Sequence, residues 1–319
     1  MYSLYFLYGS KKDLTKPHRH FKVLATKLRF MKKFYRIVLP AFFIFVTQLS
    51  GAQDVADSTG LPGDNFSLEG ALEMFKKASS PEEFEKLINT ENNGVNNLDL
   101  DNDGNIDYVK VIDKKEGDVH AFVLQDPVSE TESQDIAVIE LEKKGKDNAV
   151  LQIIGDEDIY GEETIVEPAD DATGFLHAAS FMSPDENSGD YNYDAGGIVV
   201  NVWMWPAVRF VYAPAYVVWV SPWRWRAYPA WWHPWRPVRL HVFYPRRVAY
   251  VSHYTIVATH RIIRAHRIYR PVRVTSVSVR TRNNVTLSRY RTTKRTTVIQ
   301  GPRRKYKLTR SRTVRRGRY

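Results

Sequence analysis

The spacing of apolar residues along this chain changes period. Leu68, Ala71, Leu72 and Phe75 recur at i, i+3, i+4 and i+7, the single stripe of an amphipathic helix. Ser80-Pro81-Glu82-Glu83 then supplies an N-cap, a proline at the first helical position and a capping-box glutamate. The helix it opens puts Phe84, Leu87 and Ile88 on one face and ends within residues 89–94. Short β-prone runs follow at 106–112, 119–124, 136–141 and 149–154, punctuated by Glu116-Gly117-Asp118 and by residues 144–148. Connections this short leave no room for helical crossovers, so the strands should pair antiparallel. The pattern predicts an α+β domain over residues 62–168, two N-terminal helices covering one face of a four-stranded antiparallel meander.

From residue 197 the pattern is different. All eight tryptophans lie between Trp203 and Trp235, and Pro206, Pro214 and Pro222 recur every eight residues. Proline cannot donate to a ladder, so this stretch reads as short strands separated by bends. Residues 238–244 and 272–279 alternate weakly and could pair. The expectation is a β-rich aromatic and arginine-rich region over 197–280, followed by a disordered basic tail over 281–319, where Arg, Thr, Ser and Lys surround isolated apolar residues.

Charge divides the chain at the same place. Between Asp54 and Asp194 there are 35 acidic residues against 9 basic. Between Gly196 and Tyr319 there are 24 arginines, 3 lysines and no acid. The net charge of +10 therefore conceals a strong dipole, and 10 of the basic residues fall in residues 1–53. With that leader removed the remainder is nearly neutral, so overall basicity alone does not imply a nucleic-acid partner.

The leader reads as a secretory signal with a late start. Met31-Lys32-Lys33 and Arg36 form a positive n-region, residues 37–49 an apolar core of 13 residues, and Ser50-Gly51-Ala52 small residues for cleavage between Ala52 and Gln53. We read residues 1–30 as upstream translation, 31–52 as the signal peptide, 53–61 as a linker and 169–196 as an acidic linker. The expected destination is secreted or periplasmic, at the cell envelope. The chain has no cysteine, which excludes disulfides, thiolate metal sites and lipoprotein attachment.

The sharpest local motif is Asp99-Leu100-Asp101-Asn102-Asp103-Gly104-Asn105-Ile106-Asp107. Oxygen ligands at alternate positions converge on a hard cation when the chain curls, and Gly104 permits the turn. Asp99, Asp101 and Asp103 would ligate through side chains, Asn105 through its carbonyl, and Asp107 directly or through water. The loop resembles an EF-hand calcium loop through nine positions, then departs from it: the twelfth is Lys110 where a bidentate glutamate belongs, and the incoming helix is missing. Calcium affinity is expected in the range of roughly 10⁻⁴–10⁻³ M. Without metal the same residues would make an Asx-rich turn.

In the back half, arginine forks with dense tryptophan and tyrosine suit a membrane surface of phosphorylated lipids or an acidic polysaccharide. They also suit single-stranded nucleic acid. Arg224, Arg226, Arg236, Arg239, Arg246 and Arg247 are the candidate polyanion-binding residues. Two other readings stay open: the aromatics form an ordinary core with solvated arginines, or the acidic head pairs with the basic tail within or between copies. Catalytic signals are thin, with no Gly-x-Ser-x-Gly, His-Glu-x-x-His or phosphate loop. His233, His241, His253, His260 and His266 share no tight spacing and read as pH-dependent charge.

Leu61-Pro62-Gly63-Asp64-Asn65-Phe66-Ser67-Leu68, Pro81-Glu82-Glu83-Phe84, Asn97-Leu98-Asp99-Leu100-Asp101, Ile136-Ala137-Val138-Ile139-Glu140-Leu141-Glu142 and Val218-Trp219-Val220-Ser221-Pro222-Trp223 together resemble a family of secreted Bacteroidota proteins with a single EF-hand-like calcium loop. That resemblance covers most of residues 31–280. It implies export to the envelope and no particular reaction. The expectation is a non-catalytic envelope protein with a calcium-stiffened head and an adhesive cationic tail. A secreted nucleic-acid binder is the alternative, and an enzyme using head carboxylates is a third.

Overall fold

The two N-terminal helices form where the sequence places them. Helix α1 (Leu68–Lys77) is capped by Ser67, whose hydroxyl accepts from Gly70 N at 3.0 Å. Helix α2 (Pro81–Ile88) is capped by Ser80, which accepts from Glu83 N at 3.1 Å. The Glu83 carboxylate reaches back to Ser79 N at 2.7 Å, one residue beyond the usual capping-box partner. In this computed structural model the described residues are 58–169, 199–295, 298–301 and 304–307. The upstream segment, the signal peptide, most of the first linker and nearly all of the acidic linker lie outside them.

A six-stranded antiparallel sheet runs in the order β1 (Lys110–Glu116), β2 (Val119–Asp126), β3 (Gln134–Gly145), β4 (Asn148–Gly155), β5 (Thr164–Pro168) and β6 (Tyr254–Val257). The fold is thus α+β, as expected, but the meander has more than four strands. A fifth follows a one-turn helix α3 (Glu157–Tyr160), and the sixth comes from the back half. Strand β1 also begins four residues later than the apolar run. The backbone at 106–109 bonds elsewhere: Ile106 N to Trp235 O, Asp107 N to Leu98 O, and Val109 N to the Asn89 side chain. Those bonds use N–H groups that a neighbouring strand would need.

Alternation sorts the sheet residues onto two faces. Phe122, Leu124, Ile139, Leu141, Leu151 and Ile153 face α1 and α2 in the main core. The same core takes in Val202 and three residues of α4 (Pro206–Val211), so it draws on both halves of the chain. Ala121, Val123, Val138, Ile154 and Ile165 point the other way and pack with Tyr269 of α6 (Ile263–Tyr269).

The β-rich expectation for 197–280 is therefore corrected. The region contributes α4, α5 (Leu240–Val251), β6, α6 and the start of α7 (Val277–Arg295), with isolated bridges at Val220 and Arg224. Residues 238–244, read as a strand, enter α5 despite Pro245 inside it. Burial of Phe243 and Val251 and a hydrogen bond from Tyr250 Oη to Asn93 O hold that helix down, which overrides weak strand propensity. The disordered-tail expectation fails in the same way over 281–295: Val279 and Leu287 of α7 are buried. A hairpin, β7 (Val298–Gly301) and β8 (Arg304–Lys307), follows it. Among the described residues no helix is long and apolar enough to cross a membrane.

Candidate metal centre

Asparagine side chains shape the loop that carries the aspartates. Asn96 accepts from Leu98 N at 3.1 Å and donates to Asp107 O at 2.8 Å, while Asp107 N bonds to Leu98 O at 2.9 Å. These bonds close residues 98–107 into a ring. Asn97 ties the same segment to Asn65 (2.7 Å) and, through two bonds, to Val238 at the entry to α5. Asn102 (φ 59°) and Gly104 (φ 85°) take left-handed backbone, which asparagine and glycine tolerate best. The turning N–H groups are used inside the loop: Asp103 N on Asp101, Gly104 N on Asp99 and Asn105 N on Asp103.

The outcome is convergence of three of the five anticipated ligands. Asp99, Asp101 and Asp107 each offer an oxygen, and all lie within 4.8 Å of one another. Asp103 is not in that group, and its Oδ1 accepts from the backbone and side chain of Asn105 at 2.9 and 3.0 Å. The Asn105 side chain is spent on the same contact. Lys110 sits at the start of β1, where burial pushes its ammonium down in pKa against the pull of Asp135, Glu85 and Asp126.

This arrangement is electrostatically unfavourable unless something neutralises it. Burial raises the pKa of Asp99, and the charges of Asp101 and Asp103 add to the rise. Burial, with Asp101 and Asp99 nearby, pushes Asp107 up to about 7. At the end of β2, wholly buried Asp126 is also raised well above the ordinary carboxylate range, by burial and by the Asp107 charge. No N–H or hydroxyl group donates to Asp126 or to Asp99 Oδ1, and the Asp126 and Asp107 side chains meet carboxyl to carboxylate. Orphaned buried carboxylate oxygens beside three converging carboxylates fit a hard divalent cation. The sequence reading missed Asp126 because it lies 19 residues beyond the motif, at the end of a mostly apolar strand.

The back half closes over this loop. Trp225 Nε1 donates to Asp101 Oδ2 at 3.2 Å. Arg282 of α7 donates to the carbonyls of Asp101 (3.2 Å) and Leu100. Tyr108, just past the loop, packs against Tyr228, Trp231 and Trp232 with centroids 5.1–6.2 Å apart. A cavity of about 250 Å³ opens beside the loop between Leu61, Asp64, Asp99, Leu240 and Arg282.

A second tie runs through Glu85. Its buried carboxylate accepts from Tyr108 Oη (2.8 Å), Val111 N (2.8 Å), Ser221 Oγ (3.0 Å) and Trp219 Nε1 (3.4 Å). Burial raises its pKa against these four donors.

Much of the cationic charge is used internally. Arg273 forks onto Asp156 (2.7 Å for Nη2–Oδ1) and Asp158 (3.0 Å). Arg261 pairs with Glu167 at 2.9 Å, Arg264 with Glu142 at 3.2 Å, and Arg270 with Glu163 at 2.7 Å. The six candidate polyanion residues divide. Arg246 bonds Asn92 at 2.8 Å, and Arg247 bonds the Asp64 carbonyl at 3.0 Å and lies over Tyr244. Arg224, Arg226, Arg236 and Arg239 are exposed and make no ion pair among the described residues. Arg226, itself left-handed (φ 58°), stacks on Trp225 at 4.3 Å. The chain matches no family model, no curated protein and no solved structure.

Proposed function

We propose that this is a non-catalytic exported protein of the cell envelope, in which a calcium ion at the Asp99–Asp107 loop locks the arginine- and tryptophan-rich half onto the acidic α+β core. The observation that carries this reading is the convergence of Asp99, Asp101 and Asp107 beside buried carboxylate oxygens that no N–H or hydroxyl group satisfies. An all-oxygen ligand set selects a hard cation, and calcium tolerates the irregular, partly hydrated coordination that three carboxylates and backbone carbonyls give. Trp225 and Arg282 bond the same residues that would hold the ion, so ordering the loop orders the back half with it. Export rests on the Met31–Ala52 leader and on the resemblance to the secreted Bacteroidota family.

Arg224, Arg226, Arg236 and Arg239 then supply the adhesive face, toward phosphorylated lipid or acidic polysaccharide. Their exposure beside Trp225 and Trp231 supports this role. Single-stranded nucleic acid is the competing ligand for the same chemistry. Calorimetric titration of the purified protein with calcium tests the core of the proposal. One site with a dissociation constant of roughly 10⁻⁴–10⁻³ M is expected, lost in the Asp99→Asn, Asp101→Asn double variant. Equal binding by that variant refutes it.

A further inference from the structure

On the opposite face of the sheet from α1 and α2, a cluster of different chemistry is assembled. Glu140 of β3 is fully buried; His260 Nε2 lies 2.7 Å from its Oε2, and His266 Nδ1 lies 3.5 Å from its Oε1. One donor atom from each of the three residues falls within 4.8 Å of the other two. The imidazoles sit edge to face with centroids 4.3 Å apart. We infer that Glu140, His260 and His266 form a second metal site, separate from the aspartate loop, for a divalent transition metal of the zinc class.

Three observations lead there. Glu140 Oε1 is buried and accepts no hydrogen bond, with His266 Nδ1 3.5 Å away, so it keeps a lone pair that a cation could take. Two imidazole nitrogens with one carboxylate are borderline donors, which favour zinc, cobalt or nickel over calcium. The geometry is also held from outside. Gln152 stands opposite Glu140 on β4 and clamps the 259–261 backbone by donating to Thr259 O (3.0 Å) and accepting from Arg261 N (2.8 Å). That clamp presents His260 to Glu140. His266 is fixed by α6, whose Ala265 and Tyr269 are buried against the sheet.

Three protein ligands leave a fourth position. The side chains of His260 and His266 are 21% and 28% exposed, so that position opens to water from their side. Nearby charges do not block a cation: Glu142 on the same face is engaged by Arg264 and Lys144, and Arg261 by Glu167. The sequence reading treated these histidines as unpatterned because their carboxylate partner lies about 120 residues earlier.

The test is a cobalt(II) titration of the purified protein, followed by visible absorption and displacement with zinc. Wild type should develop ligand-field bands of a nitrogen-containing site and lose them on adding zinc. The His260→Ala, His266→Ala double variant and Glu140→Gln should each weaken binding by more than about tenfold, with circular dichroism confirming that they fold. Because both histidines are partly exposed, the double variant serves as the decisive one should Glu140→Gln misfold. The Asp99→Asn, Asp101→Asn variant should bind cobalt like wild type, which separates this site from the calcium loop. Absence of cobalt binding by wild type, unchanged binding in the double histidine variant, or its loss in the aspartate variant would overturn the inference.

Discussion

Trp225 donates its indole N–H to Asp101 Oδ2 at 3.2 Å, across 124 residues of chain. One side chain of the tryptophan-rich segment thus positions a carboxylate of the aspartate loop. Outer partners that orient ligands commonly set affinity by one order of magnitude or more. Trp225→Phe should keep the fold and weaken calcium binding about tenfold. Titration of the variant beside wild type checks this, and equal affinities would show that the contact is incidental.

Arg273 holds the acidic turn at α3. Its guanidinium is shared among Asp156, Asp158 and Glu157, and its side chain is only 15% exposed. Burial outweighs this partner and leaves the Asp156 pKa raised even so. Removing the cation leaves buried Asp156 without a charged partner, while Asp158 keeps Arg280 and Arg291 at 3.8 Å, so Arg273→Ala should cost about 3–5 kcal/mol in urea unfolding. Arg270→Ala, whose side chain is more exposed, should cost under about 1 kcal/mol. The two variants together separate a buried network from a surface pair.

Asp135 gives the protein a pH dependence of definite sign. Burial pushes its carboxyl up to about 6, although Val274 N, Gln125 and Tyr269 donate to it. The folded state therefore holds a proton that the unfolded chain has released, and this contribution is full below about pH 4 and lost as pH rises through about 6. Relative to Asp135→Asn, which cannot titrate, wild type should lose about 2 kcal/mol between pH 4 and pH 7. Denaturant melts at the two pH values measure the difference; a gain in relative stability over that interval would contradict the assignment.

The exposed arginines make a separate prediction. Replacing Arg224, Arg226, Arg236 and Arg239 together with alanine should abolish cosedimentation with vesicles containing phosphatidylglycerol, and wild-type binding should weaken as salt rises. Because none of the four has an ion-pair partner among the described residues, the melting temperature should hardly move. Binding to single-stranded DNA at low salt with no binding to vesicles would favour the nucleic-acid reading.

What could be read in the sequence follows from how local the interactions are. The caps at Ser67 and Ser80, the apolar stripe of α1 and the turns at Gly117 and Lys146 depend on neighbours within a few residues, and all reappear. In the aspartate loop, the convergence of Asp99, Asp101 and Asp107 could be anticipated from spacing. The loss of Asp103 to an internal Asx turn could not, since both arrangements use the same residues. The back half was misjudged for the opposite reason. The segments that flank its helices α6 and α7 lie against an acidic surface, and their arginines Arg261, Arg270 and Arg273 find carboxylates more than 90 residues away. Asp126, Trp225 and the Glu140–His260–His266 cluster likewise exist only once the sheet is assembled.

Thermal melting with and without calcium tests the central claim most directly. A ligand bound only by the folded state must raise the midpoint. At about 10 mM calcium and the expected affinity the gain is about 1.4–2.7 kcal/mol, or about 3–8 °C for a chain of this size. The Asp99→Asn, Asp101→Asn variant should show no shift. A wild-type midpoint indifferent to calcium, or an equal rise in the variant, would contradict the account.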